Sequence, residues 1–204
     1  MKVILASQSP RRRQLLQLMG LDFEQIPSAY EEKLDDSRKP EDVAVELAIG
    51  KAGKVAADHP EALVIGSDTI VTVAGKQLEK PKDKNDAYRL LKLLSGRPNV
   101  VTSSVAVIRL SDNTKLLAAD SAKVFFKPFN EEIIKAYIAT GDPMDKAGAY
   151  GIQSGAAPLI SHIEGRYDTI LGLPTKALSY FLQTLGIDST AVELVSPVKN
   201  IADL

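Results

Sequence analysis

An apolar strand that must give way to a helix within four residues is the tightest constraint in this sequence. It lies at the start, in Lys2-Val3-Ile4-Leu5-Ala6-Ser7-Gln8-Ser9-Pro10-Arg11-Arg12-Arg13-Gln14-Leu15-Leu16. Ser9 is a good N-cap, and Pro10, with φ already near the helical value, suits the first helical position. Leu15, Leu16, Leu18 and Met19 then repeat at helical spacing until Gly20 stops the helix. Such a junction aims free N–H groups and the positive end of the helix dipole at the strand's C-terminal edge, where α/β proteins hold phosphates. Ser7, Arg11 and Arg12 complete an anion site; taken alone, the same run also describes a basic surface helix.

Composition removes several alternatives. With no cysteine, thiolate nucleophiles, disulfides and cysteine–metal sites are excluded. Two histidines, His59 and His162, stand far apart, so a metal here is expected to be Mg2+ or Mn2+ on carboxylates rather than zinc on imidazoles. A formal net charge of −1 argues against nucleic-acid binding through bulk electrostatics. No apolar run approaches the length of a membrane span, and the basic residues follow the first apolar stretch instead of preceding it as in a signal peptide. The expectation is a cytoplasmic protein without membrane or nucleic-acid partners.

Along the chain, Phe23–Ile26 is a short extended segment, and an acidic loop holds Glu31 and Glu32. Pro40 opens a helix to about Ala57, in which Gly50 and Gly53 suggest close packing or close ligand approach around Lys51. Ala62–Gly66 reads as a buried strand that Ile70–Val73 continues, with the polar triplet Ser67-Asp68-Thr69 in its middle. A helix over Asp83–Leu94, long strands over Val100–Leu110 and Thr114–Phe126, and a helix after Asn130 follow. A glycine-rich loop then runs from Gly141 to Gln153, a second hairpin is expected from Leu159–Ile163 and Arg166–Leu171, and Leu173-Pro174 starts a last helix to Leu185. Helices and strands alternate without regular βαβ spacing, which predicts an α/β protein with a mixed sheet and an open cleft. Neither G-x-G-x-x-G nor the P-loop pattern is present.

Asp68 is the strongest catalytic candidate, because a carboxylate inside an apolar strand is costly to bury unless a cation, metal or water reaches it. The competing reading is a turn aspartate bonding its own backbone. Glu32 reads either as part of a solvated acidic face or, with Asp68, as a small water-rich magnesium site. Lys51, Lys80 and Lys146 each lie beside a helix glycine, a proline or a glycine loop. The amide of Gln153 offers a donor and an acceptor together, which suits a nucleobase edge. Ser7 and Ser9 lie in no G-x-S-x-G elbow, and His59 and His162 read as surface.

Together these residues resemble the septum-formation-inhibitor (Maf) family of nucleoside triphosphate pyrophosphatases. The resemblance is carried, in order, by Ala6-Ser7-Gln8-Ser9-Pro10-Arg11-Arg12, Glu31-Glu32-Lys33, Gly66-Ser67-Asp68-Thr69-Ile70-Val71, Glu79-Lys80-Pro81, Leu94-Ser95-Gly96, Asp142 to Gln153 and Gly172-Leu173-Pro174. It implies one domain over residues 1–187, with residues 188–204 left as a C-terminal tail. The implied fold is an elongated mixed sheet with flanking helices, two lobes around a central cleft, of the Maf/inosine-triphosphatase-like kind. The version Lys146-Ala147-Gly148-Ala149-Tyr150-Gly151-Ile152-Gln153 is similar to the branch acting on dTTP and UTP; the branch associated with 7-methyl-GTP differs there. Matched position by position, Asp68 takes the family's proton-acceptor role, and Arg11, Thr69 and Gln153 its specificity positions. Ser7, Arg12, Glu32, Lys51 and Lys80 match other cleft residues, and Lys146 begins the matched loop. A divalent metal on Glu32 and Asp68 and a homodimer are implied as well. The sequence departs from the family at Ser67, where alanine is usual, at Ser154, where glycine is usual, and at Ala157-Pro158, which replaces a more aromatic stretch.

The expected reaction is hydrolysis of the triphosphate at the α-phosphorus to monophosphate and pyrophosphate. Ser7, Arg11 and Arg12 would hold the phosphates, and Lys51 and Lys80 would neutralise charge. A pyrophosphatase for modified nucleotides such as 7-methyl-GTP is one alternative, and a non-catalytic nucleotide-binding regulator of cell division is the competing function. The acidic pair Glu32 and Asp68 separates the regulator from an enzyme, since pure anion binding would avoid carboxylates.

Overall fold

Two long antiparallel strands form the frame on which the other elements pack. The computed structural model describes residues 1–193. In chain order the elements are β1 (Val3–Leu5), α1 (Pro10–Leu18), β2 (Glu24–Gln25), α2 (Pro40–Ala56), β3 (Leu63–Val73), β4 (Lys76–Leu78) and α3 (Lys84–Leu94). They continue with β5 (Pro98–Arg109), β6 (Thr114–Phe126), α4 (Glu131–Ala139), β7 (Ile160–Glu164), α5 (Tyr167–Leu171) and α6 (Thr175–Thr184). All seven strands join one mixed sheet in the order β2-β1-β3-β5-β6-β7, with β4 paired to β3. β1 runs parallel to β2 and β3, and the remaining pairs are antiparallel. The mixed α/β class read from the sequence is therefore correct.

The pleat of β3 divides the core. Val64 packs with Ala48, Ala52 and Val55 of α2, and Ile70 packs with Val43, Ala44 and Leu47 of the same helix. Leu63, Ile65, Val71 and Val73 face the opposite side, where α1, α3, α4 and α6 supply Leu15, Leu91, Ile134 and Leu178. Helix α2 thus covers one face and the other helices cover the second. Gly66 lets α2 lie this close: a Cβ there would strike the Ala48 carbonyl and the Ala52 backbone. Inside α2, the Tyr30 ring fills the space over Gly50, while nothing lies within 4 Å of a Cβ at Gly53. Close packing therefore explains the first glycine only.

Local chemistry sets the boundaries. The Ser9 side chain accepts from the Arg12 amide at 3.4 Å, with Pro10 at the first helical position, and Asp83 and Asn130 cap α3 and α4 in the same way. Leu18, counted in the apolar repeat of the first helix, is 39% exposed; Leu15, Leu16 and Met19 carry the buried stripe.

One expectation needs revision. Arg166–Leu171 is not the second strand of a hairpin, because residues 167–171 form α5 and β7 pairs with β6 instead. The five residues of α5 span little more than one turn, too few to show a helical period, and all are buried. Its end is fixed by Gly172 at φ 107°, whose amide donates to the Asp168 and Thr169 carbonyls. At the beginning of the expected tail, the Val192 amide donates to Thr175 Oγ1 at 3.0 Å, and the Ser189 carbonyl accepts from Ser179 Oγ at 2.9 Å. Residues 194–204 of that tail lie outside the described residues.

Candidate active site

The site begins at a gap in the sheet. One edge of β3 pairs with β5 continuously from Val64 to Thr72. The other edge pairs with β1 only at Leu63–Ile65 and with β4 only at Val71–Val73. Between them, residues 66–70 have no strand partner on this edge among the described residues, and the C-terminal end of β1 with the start of α1 borders the opening. Side chains from both faces of β3 meet there: Asp68 on the α2 face, Ser67 and Thr69 on the other.

On the α2 face, Lys51 is held between two carboxylates. Its Nζ lies 2.5 Å from Asp68 Oδ1 and 2.7 Å from Glu32 Oε1. Asp68 and Lys51 are buried, while the Glu32 side chain is 47% exposed and forms the solvent side of the cluster. Burial pushes the Asp68 carboxyl above its ordinary pKa against the opposing charges of Lys51 and Arg12. For Glu32, burial acts upward but is overcome by the Lys51 hydrogen bond and charge, helped by Lys80 and Arg12, so its pKa lies below the ordinary value. Two neighbouring carboxylates with opposite shifts are a recurrent property of sites that move protons.

On the other face, Arg12 organises the hydroxyls. Its Nε donates to the Gly172 carbonyl at 2.8 Å, Nη1 to Ser7 Oγ at 3.2 Å and Nη2 to Thr69 Oγ1 at 2.9 Å. Ser67 Oγ donates to the same Gly172 carbonyl at 2.7 Å, so the unusual serine at this position is satisfied in the core. The absence of a side chain at Gly172 is required here, since a Cβ would sit 2.9 Å from Thr69 Oγ1 and 3.4 Å from Arg12 Nε. Burial lowers the Arg12 pKa, opposed by Asp68. With three of about five N–H bonds committed to the protein, Arg12 shapes the site more than it presents charge. The half-buried Arg11 beside it is the more available cation.

The remaining expected residues are placed differently. Lys80 is exposed, and its charge reaches Glu32. Lys146 is turned into its own loop, with Nζ 3.0 Å from Asp142 Oδ1 and 2.7 Å from Asp145 Oδ1. Asp142 Oδ2 also accepts from Tyr137 at 2.5 Å and from Ser154 at 2.6 Å, which gives the second unusual serine a structural partner. Gln153 bonds to neither cluster, and its Nε2 is buried without a partner among the described residues. A buried amide donor left open is costly unless something completes it.

Sequence reading missed Ser103. It lies opposite Thr69 on β5, accepts or donates at 3.0 Å to Thr69 Oγ1, and donates to the Thr169 carbonyl at 2.7 Å. The signal was available, because Thr102-Ser103-Ser104 interrupts apolar β5 just as Ser67-Asp68-Thr69 interrupts β3.

Glu32 and Asp68 are the two carboxylates a divalent cation could use here, and the Lys51 ammonium stands between them. Among the described residues no three histidine, aspartate or glutamate side chains gather as a metal cluster. Two carboxylates suit a hard ion that keeps several waters, as magnesium does, rather than an all-protein cage.

Comparison with known proteins adds an independent finding. The profile of the family described as Maf-like protein matches residues 2–185. A dTTP/UTP pyrophosphatase from Dictyoglomus thermophilum (strain ATCC 35947 / DSM 3960 / H-6-12) is 45% identical over 186 residues, covering 91% of this chain and 96% of that protein. Proteins of the same description from Geobacillus sp. (strain WCH70) and Bacillus anthracis are 44% and 42% identical, over 91% and 93% of this chain and 98% of each relative.

Proposed function

We infer that this chain, which belongs to the Maf-like protein family, is a nucleoside triphosphate pyrophosphatase that hydrolyses dTTP and UTP to the monophosphate and pyrophosphate. The observation that carries this reading is the meeting, at one unpaired strand edge, of a hydroxyl and guanidinium cradle with the Asp68–Lys51–Glu32 cluster. An anion sensor gains nothing from carboxylates that repel its ligand; a hydrolase needs a group that accepts a proton beside the phosphorus.

In this reading the N-terminus of α1, Ser7 and Arg11 bind the phosphates, and Lys80 balances charge at the rim. Asp68 Oδ1 is fixed by Lys51, which leaves the second oxygen to orient a water for in-line attack. The water oxygen bonds to the α-phosphorus as the bond to the bridging oxygen breaks, pyrophosphate leaves, and the water proton passes to Asp68. The burial that raises the Asp68 pKa makes it a better acceptor for that proton. A divalent cation, Mg2+ or Mn2+, held by Glu32 and Asp68 would neutralise the phosphate charge that the protein's own cations leave uncompensated. Gln153 reads the edge that uracil and thymine share, with its unpartnered amide as the donor. Tolerance of one methyl group is physically easy, since it is worth only about 1–3 kcal/mol in a pocket.

The reading extends to a cytoplasmic homodimer of one domain over residues 1–187; among the described residues, no helix is long and apolar enough to cross a membrane. Incubation with dTTP or UTP and magnesium tests the function directly. Monophosphate and pyrophosphate are the expected products, and tight binding without product would favour a nucleotide-sensing regulator instead.

A further inference from the structure

We propose that Ser103 is a positioning residue that fixes the polarity of Thr69, so that the site accepts only substrates presenting a hydrogen-bond donor to it. The argument is donor counting. A hydroxyl has one proton and two acceptor lone pairs. The Thr169 carbonyl can only accept, so the 2.7 Å contact from Ser103 Oγ consumes the Ser103 proton. The 3.0 Å contact between Thr69 Oγ1 and Ser103 Oγ then requires Thr69 to be the donor. Arg12 Nη2 donates into Thr69 Oγ1 at 2.9 Å, taking one of its lone pairs. Thr69 is half-buried at the open edge of β3, and all that it can still offer is a single lone pair.

Ser7, which shares the guanidinium, is set the opposite way by the Ser9 amide. Its Oγ accepts from the Ser9 amide at 3.2 Å and from Arg12 Nη1 at 3.2 Å, which fills both lone pairs and leaves the O–H as its only remaining function. Arg12 donates to both hydroxyls, and their second partners, the donating Ser9 amide and the accepting Ser103 oxygen, sort them into a donor, suited to a phosphate oxygen, and an acceptor, which would repel one. The backbone supports the arrangement. Ser103 and Thr69 are directly opposed in the β3–β5 register, Ser103 is fully buried, and the carbonyl it binds is held in α5, where Thr169 Oγ1 is anchored on Asp120.

The shared chemistry that Thr69 selects is a substrate O–H or N–H, and two such groups of the base and sugar are common to dTTP and UTP: N3–H of the base and the sugar 3′-hydroxyl. Cytosine lacks the first and a dideoxynucleotide lacks the second. The substrates in this inference rest on the pyrophosphatase reading, but the geometry does not.

The test measures kcat/KM for UTP against CTP and for dTTP against 2′,3′-dideoxy-TTP in the wild type, Ser103→Ala, Thr69→Val and the double variant. Equilibrium binding of UMP, CMP, dTMP and dideoxy-TMP is measured alongside. Removing the Ser103 acceptor frees the Thr69 proton to turn toward the substrate. The preference for the donor-bearing member of one pair is then expected to fall about tenfold. A fall in the UTP/CTP ratio assigns the donor to the base, and a fall in the dTTP/dideoxy-TTP ratio assigns it to the sugar. Thr69→Val should erase the same preference, Thr69→Ser should restore it, and Ser103→Ala should change nothing further in the Thr69→Val background. Ratios unchanged within about twofold in both pairs would overturn the proposal, as would an equal effect of Ser103→Ala with and without Thr69. If the wild type turns over no triphosphate, the pyrophosphatase reading fails, and the monophosphate binding ratios still decide the role of Ser103.

Discussion

Replacing Lys51 by methionine isolates the electrostatics of the site from its packing, because the side chain keeps nearly the same volume and loses only its charge. Lys51 Nζ lies 2.5 Å from Asp68 Oδ1, with the two side chains 10% and 6% exposed. At an effective dielectric constant of about 20 the gross attraction is about 6–7 kcal/mol. Relief of the lysine's own desolvation brings the expected net loss to about 3–5 kcal/mol for breaking one side of a buried pair. Protonation sets a ceiling on that loss. Taking an aspartate of ordinary pKa, about 3.9, to its neutral form at pH 7 costs about 4 kcal/mol, and at pH 5 only about 1.5 kcal/mol. Burial already holds the folded pKa of Asp68 above its ordinary value, and Lys51 opposes that rise. Its removal raises the folded pKa further. A carboxyl with a raised folded pKa destabilises the fold as pH climbs from the unfolded pKa to the folded one, and the cost is constant above. Urea denaturation of Lys51→Met in chelator-containing buffer should therefore show a loss of about 3–4 kcal/mol at pH 7 that shrinks to about 1.5 kcal/mol or less at pH 5. A loss below about 1 kcal/mol at pH 7, or one independent of pH, would refute the placement of a buried, ionised Asp68 on Lys51.

Gly172→Ala places a Cβ 2.9 Å from Thr69 Oγ1 at a residue with φ 107°. A loss of at least about 2 kcal/mol in thermal or urea unfolding is expected, together with weakened nucleotide binding as Arg12 is displaced. A variant as stable as the wild type would contradict the crowding described at this carbonyl. Gln153→Glu exchanges the unpartnered Nε2 for an acceptor. It should reduce kcat/KM for dTTP and UTP by about tenfold or more while leaving the inhibition constant of free pyrophosphate within about threefold. Equal weakening of both would remove Gln153 from base recognition.

Much of the architecture was legible because local rules and tertiary packing agree. Ser9-Pro10, Asp83 and Asn130 begin their helices as caps should, and the apolar stretches of β3, β5 and β6 follow their expected extents closely. Helix α5 was illegible because its five residues span little more than one turn, too few for a period that distinguishes a helix from a buried strand. Asp68 stood out as a carboxylate in an apolar run, and Lys51 as a charge among helix glycines. Their direct contact could not be read, since it depends on α2 crossing β3 at Gly66. The same applies to Lys146, whose binding to Asp142 and Asp145 depends on how the glycine loop closes. Ser103 went unnoticed although its polar triplet carries the same signal as that around Asp68. Only the β3–β5 register shows that the two triplets face one another.

The most direct test of a hydrolase centred on Asp68 is to measure turnover and nucleotide affinity together in Asp68→Asn, which keeps the side-chain shape and abolishes its basicity. Release of pyrophosphate from dTTP should fall by about a thousandfold or more, while dTTP affinity in the presence of magnesium stays within about tenfold of the wild type. Turnover within about threefold of the wild type would contradict the assignment of the proton-accepting role to this carboxylate.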